Sequence, residues 1–70
     1  MSYSEEFPVG TRVVISAGPG EGSDQEWNGH AGKIIAWHGS FAEIKPDRGK
    51  KFWPKGSVLI DGYNIRKATS

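Results

Sequence analysis

Gly10-Thr-Arg-Val-Val-Ile-Ser16 and Asn28-Gly-His-Ala-Gly-Lys-Ile-Ile-Ala-Trp37 are the stretches on which the fold is decided. Both are rich in β-branched residues, and a glycine-rich passage separates them, as two strands joined through a loop require. In the first, Val13 and Ile15 fall on one face, with Arg12, Val14 and Ser16 on the other. This predicts a strand over Thr11 to Ala17, led in by a turn at Phe7-Pro8-Val9-Gly10 in which Pro8 fixes its own φ. The second stretch predicts a strand from Ala31 to His38. Its apolar residues run almost without break from Ile34 to Trp37, so both faces are expected to be covered as one strand bends across a sheet.

Working outward, Gly18-Pro-Gly-Glu-Gly-Ser-Asp-Gln-Glu26 contains no apolar residue and reads as a long solvated loop. Gly39-Ser40 suits a type II′ hairpin turn, with glycine first. Phe41-Ala-Glu-Ile-Lys45 then alternates as a third strand, with Ala42 and Ile44 on one side, and Pro46-Asp-Arg-Gly49 is a turn by composition. Lys50-Lys-Phe-Trp53 reads as a short strand halted by Pro54. Asp61-Gly62, between Val58-Leu-Ile60 and Tyr63-Asn-Ile-Arg66, is a hairpin cue; the competing reading makes Ser57 to Ile60 a single helical turn leading into a last strand. Glycine or proline interrupts every window that could hold an amphipathic helix. The expectation is all-β: a small barrel of five to six antiparallel strands over residues 7–67, with a flexible 1–6 and a frayed 68–70.

Seventy residues make one domain. A chain this short buries only about 60% of the surface its unfolded form exposes, so its core is expected to be thin. Without cysteine there is no disulfide and no thiolate metal site. No apolar run approaches a membrane span of about 18 residues, and Met-Ser-Tyr-Ser-Glu-Glu lacks the pattern of a secretion signal. A cytoplasmic protein is expected. Net charge is +1, but residues 1–35 carry two cations against five carboxylates, and residues 36–70 carry seven against three.

Gly10-x-x-Val13-x-Ile15 followed by Gly29-x-x-Gly32-x-Ile34 resembles the KOW type of SH3-like barrel found in ribosomal proteins and transcription elongation factors. Phe52-Trp53-Pro54, then Val58 and Ile60, looks like the closing strands of such barrels. The resemblance implies that Ile34 and Ala36 fill the interior and that the chain acts in transcription or translation. A departure is the segment from Ala17 to Trp27, longer than the usual KOW loop. Phe7-x-Val-Gly-x-Arg12-Val13, Trp27-x-Gly29 and Gly32-x-Ile34-Ile-x-Trp37 are similar to the front half of the plasmid-type (type II) dihydrofolate reductases. That resemblance implies a tetramer around one pore, lined by a Val-Gln-Ile-Tyr segment that grips folate and a nicotinamide cofactor. The matching positions are Lys50-Lys-Phe-Trp53 or Val58-Leu-Ile-Asp61. Neither has the glutamine, and four copies of Lys51 around one axis would repel.

The expected binding face is basic and aromatic: Phe41, Lys45, Arg48, Lys50, Lys51, Phe52, Trp53, Lys55, Arg66 and Lys67. Cations displace counterions from phosphates, and rings stack on unpaired bases. The plainer alternative has Phe52 in the core and the lysines keeping an edge soluble. A second interaction loop is expected at Glu21, Asp24, Glu26 and Trp27, since three tryptophans exceed what so thin a core can hold. His30 and His38 have no metal-ligand spacing and read as solvated. Gly18-x-Gly20-x-Gly22 lacks the lysine and helix of a phosphate cradle.

No nucleophile-with-base pattern is visible. The chain therefore reads as a non-catalytic adaptor without cofactor or metal, binding nucleic acid or an acidic protein surface, as a monomer or small homo-oligomer. The alternatives are a protein-interaction module, possible for a phage-encoded protein meeting a host partner, and a reductase-like tetramer with an altered pore.

Overall fold

The computed structural model describes residues 2–48 and 56–68. Five strands form one antiparallel sheet: β1 (Arg12–Ile15), β2 (Ala31–His38), β3 (Phe41–Pro46), β4 (Val58–Asp61) and β5 (Ile65–Lys67). Across the sheet their order is β4-β3-β2-β1-β5. The strand proposed for Lys50-Lys-Phe-Trp53 lies outside the described residues, as do Gly49, Pro54 and Lys55.

That order forces the sheet to roll. β4 and β5 occupy opposite edges, yet only Gly62–Asn64 separate them. Four strand spacings of a flat sheet amount to about 19 Å. The chain from the end of β4 to the start of β5 reaches at most about 14 Å even when extended. Here it is shorter still, because Gly62–Asn64 form a 3₁₀ turn, η2. The hairpin expected at Asp61-Gly62 is therefore absent: β4 pairs with β3, and β5 pairs with β1. The Asp61 side chain accepts from the Tyr63 amide at 3.3 Å, which turns the chain into η2 rather than back along β4.

The interior is filled by alternate residues from each strand: Val13 and Ile15, Ile34, Ala42 and Ile44, Val58 and Ile60, and Ile65. Phe7, Ala17 and Trp27 join them from outside the strands. Strand β2 does not alternate throughout. Ile34 pairs with Ile44 and Ala36 with Glu43, so Ile35 is an extra residue bulged out of the ladder. The bulge reverses the phase of the strand. Trp37, paired with Ala42, packs against the core, and its Nε1 donates to the Phe7 carbonyl at 2.8 Å. Ala36, expected inside, is only half-buried, and Ile35 is exposed. An unbroken apolar run thus serves one strand that changes face.

Two glycines fix the β2–β3 geometry. Gly39 has φ +63° while Ser40 has negative φ, which fits the type II′ turn and excludes type I′. A Cβ on Gly32 would lie 2.6 Å from both Ile44 Cγ2 and the Lys45 carbonyl oxygen, so β2 approaches β3 there as no other residue would allow.

The segment expected to be a solvated loop is largely a 3₁₀ helix, η1 (Gly22–Trp27). It is tethered to η2 by its carboxylates. Asn64, almost fully buried, donates Nδ2 to Asp24 at 2.8 Å and to Glu21 at 3.3 Å. Asp24 also accepts from the Asp61 amide at 3.1 Å, and Tyr63 donates its hydroxyl to Glu21. Before the sheet, Tyr3–Glu6 form a single α-helical turn, α1.

Candidate functional site

Ladder register decides which charges become neighbours. Arg12 of β1 sits opposite Lys33 of β2, and Lys33 sits opposite Lys45 of β3. Residues directly opposite point to the same side of a sheet, so these three exposed cations form a row across three adjacent strands. Arg66 of β5 stands opposite Val14, diagonal to Arg12, and extends the cationic surface to a fourth strand. Like charges facing each other across a ladder cost stability.

Among the described residues, Arg12 alone in this row has an ionic partner. Its Nη1 donates to Asp47 Oδ1 at 3.2 Å and its Nη2 to Oδ2, which raises the Arg12 pKa and holds the Asp47 carboxyl below its ordinary value. Among the described residues, Lys33, Lys45 and Arg66 have no ion pair. A cleft of about 360 Å3 adjoins this end of the sheet, between Asn28–Ala31 and Asp47–Arg48.

The structure divides the residues expected to form one basic and aromatic face. Lys45 lies in the cationic row, and Arg48 follows just beyond the end of β3. Phe41 is exposed at the opposite end of β3, beyond Glu43 and beside Asp61. Arg66 lies next to the row on β5, while Lys67 pairs with Val13. Lys50, Lys51, Phe52, Trp53 and Lys55 lie outside the described residues. Arg12 and Lys33 belong to the row but were not marked by the sequence, because they come from the acidic half of the chain. Strand alternation exposes both, but only register makes them neighbours of Lys45.

Of the second interaction loop, Glu21 and Asp24 are engaged by Tyr63 and Asn64, as described above, and Trp27 is 2% exposed in the core. Its ring meets His30 edge-on, with centroids 5.0 Å apart. The thin core therefore takes Trp27 completely and Trp37 in part.

Bordering the cationic row, where Glu43 precedes Lys45 by two residues on the same face of β3, lies a second pocket of about 460 Å3. Its walls come from η1 (Ser23, Glu26, Trp27), from Ser57-Val58-Leu59 at the start of β4, and from His38 and Glu43. Glu43 is the centre of a hydrogen-bonded chain: His38 Nε2 lies 2.8 Å from Oε1, and Ser57 Oγ donates to Oε2 at 2.7 Å. Those bonds lower the Glu43 pKa, the His38 bond most of all. This is not a nucleophile with its base. The imidazole bonds the carboxylate and not the hydroxyl, and a carboxylate with a depressed pKa is a weak proton acceptor. The arrangement fixes a negative charge in the pocket. No group of three His, Cys, Asp or Glu among the described residues could hold a metal ion.

Among the described residues, no helix is long and apolar enough to cross a membrane. Comparison with known protein families, with curated proteins and with solved structures finds no match.

Proposed function

We propose that this chain is a non-catalytic nucleic-acid-binding module, an SH3-like barrel of the KOW kind that docks a nucleic-acid backbone on Arg12, Lys33 and Lys45. The rolled sheet, with β1 between β2 and β5, supports the fold part of the reading. The observation that carries the functional part is the cationic row. Three like charges held side by side by the ladder repel one another in the free protein, and a polyanion laid across them relieves that repulsion. The Glu43 carboxylate, two residues before Lys45 on the same face of β3, bounds the row on that side and repels phosphate beyond it.

The test is fluorescence anisotropy of a labelled single-stranded oligonucleotide over a range of salt. Each phosphate neutralised on a single strand contributes about −0.7 to the slope of log affinity against log salt, so three contacts give about −2. Replacing Lys33 and Lys45 together by glutamine should flatten the slope by about 1.4 and weaken binding at every salt concentration. A wild-type slope near zero, or no saturable binding, rejects the proposal.

A further inference from the structure

The pocket between η1 and β4 has the opposite chemistry from the cationic row, and we infer that it receives a lysine or arginine side chain from a basic segment of a protein partner. Three features meet there. Its volume of about 460 Å3 accepts a long side chain, and lies within the range of about 300–1,000 Å3 usual for ligand pockets. Trp27, Val58 and Leu59 supply apolar wall for a methylene stem, while Glu26 and Glu43 supply charge for its head. The Glu43 carboxylate is oriented before any ligand arrives, because His38 and Ser57 hold its two oxygens. A guanidinium or ammonium group meeting a prefixed carboxylate forms a charge-assisted bond without first ordering it.

A protein segment, rather than a free amine, is indicated by what surrounds the pocket. Leu59 is 53% exposed and Phe41 46% exposed on the neighbouring strand, so apolar surface continues beyond the mouth. Glu43 faces Leu59 and Asp61 faces Phe41, which alternates carboxylate with apolar side chain along this edge of the sheet. A chain that places a cation in the pocket and apolar neighbours on Leu59 and Phe41 matches that pattern. A nucleic-acid strand does not, since its phosphates would meet Glu26, Glu43 and Asp61. This site borders the row proposed to bind nucleic acid, because Glu43 and Lys45 share a face of β3, but it takes a ligand of the opposite charge.

The probe is a labelled peptide with one arginine between leucines, compared with the same peptide carrying neutral citrulline at that position. Anisotropy measures affinity, and amide and indole shifts in nitrogen–proton correlation spectra locate the contact. Citrulline, or the Glu43→Gln variant, should weaken binding about tenfold, as expected for loss of a charged hydrogen bond of roughly 1.4 kcal/mol. Glu43→Gln keeps an oxygen and its shape, and Glu26→Gln on η1 serves as a second variant should the first disturb the fold. Shifts are expected at the Trp27 indole, Ser57 and Leu59. Equal affinity for the arginine and citrulline peptides overturns the inference. So do shifts clustered at Arg12 and Lys33, absence of binding, or free arginine binding as tightly as the peptide.

Discussion

The two ends of this small sheet hold their charges in opposite ways. At the Lys33 end, cations stand in register on neighbouring strands, positioned by backbone pairing and partnered only where Asp47 meets Arg12. At the Asp61 end, Glu21 and Asp24 are engaged by Asn64 and Tyr63, and between the two ends Glu43 is bonded by His38 and Ser57. Cations are thus placed by backbone pairing, whereas carboxylates are oriented by side-chain and backbone donors. Charge count alone distinguishes neither role. What separates them is whether the backbone or a hydrogen-bonding side chain does the positioning.

The sharpest way to break the contrast is at Gly32, where β2 meets β3 under the cationic row. Gly32→Ala puts a methyl group 2.6 Å from a backbone carbonyl oxygen. Overpacking of this kind costs about 3 kcal/mol at the upper end of its usual range. Denaturant unfolding should show that loss, together with weaker oligonucleotide binding as Lys33 and Lys45 move apart; unchanged stability would mean the ladder is looser than its register implies.

Next in size is the structural role of the acidic end. Asn64→Ala removes two of the bonds that tie η1 and its preceding Glu21 to η2 and should cost about 2 kcal/mol, within the range for hydrogen bonds to charged groups. Oligonucleotide affinity of the folded fraction should not change. A parallel loss of affinity would show that the two ends are coupled.

Smaller effects follow from titration. Glu43 and Asp47 have folded pKa values below their ordinary 4.5 and 3.8, Glu43 chiefly through His38 and Asp47 chiefly through Arg12. Each contributes stability that is complete above the ordinary value and disappears as pH falls through the folded one. Thermal midpoints should therefore fall on acidification, less steeply in Glu43→Gln or Asp47→Asn. Tyr63 behaves in reverse: its hydroxyl is held above 10.0, mainly by Glu21, so its contribution is complete below that pH and fades as pH rises through the folded value. Tyr63→Phe should reduce the alkaline slope and leave the acid limb alone.

The smallest expected effect sharpens the comparison most directly. Asp47→Asn removes the anion paired with Arg12 and should tighten oligonucleotide binding modestly while leaving binding of the arginine peptide unchanged. Weaker oligonucleotide binding in that variant would indicate that Asp47 holds Arg12 in its binding position.

Much of the architecture was legible because alternation is a local property. Val13 with Ile15, Ala42 with Ile44 and the bounds of β2 all follow from the β-strand period of two. Local pattern failed where long-range contacts decide. Asp61-Gly62 has the composition of a hairpin, but β1 and β3 offer the partners that β4 and β5 take. The polar residues after Gly18 read as solvated because their partners, Tyr63 and Asn64, lie some forty positions away. Trp37 turned inward because a bulge at Ile35 changed the phase of β2, and nothing in an unbroken apolar run marks where a bulge falls.

The sequence by itself determined that this chain is β-rich, which residues line its interior on β1 and β3, and that its later half is basic. Only the tertiary structure decided which strands are neighbours, and so which cations stand together and which carboxylates are engaged. The reason is physical: side-chain direction follows from the torsions of each residue alone, whereas adjacency across a sheet depends on closing loops that bring distant segments into one ladder.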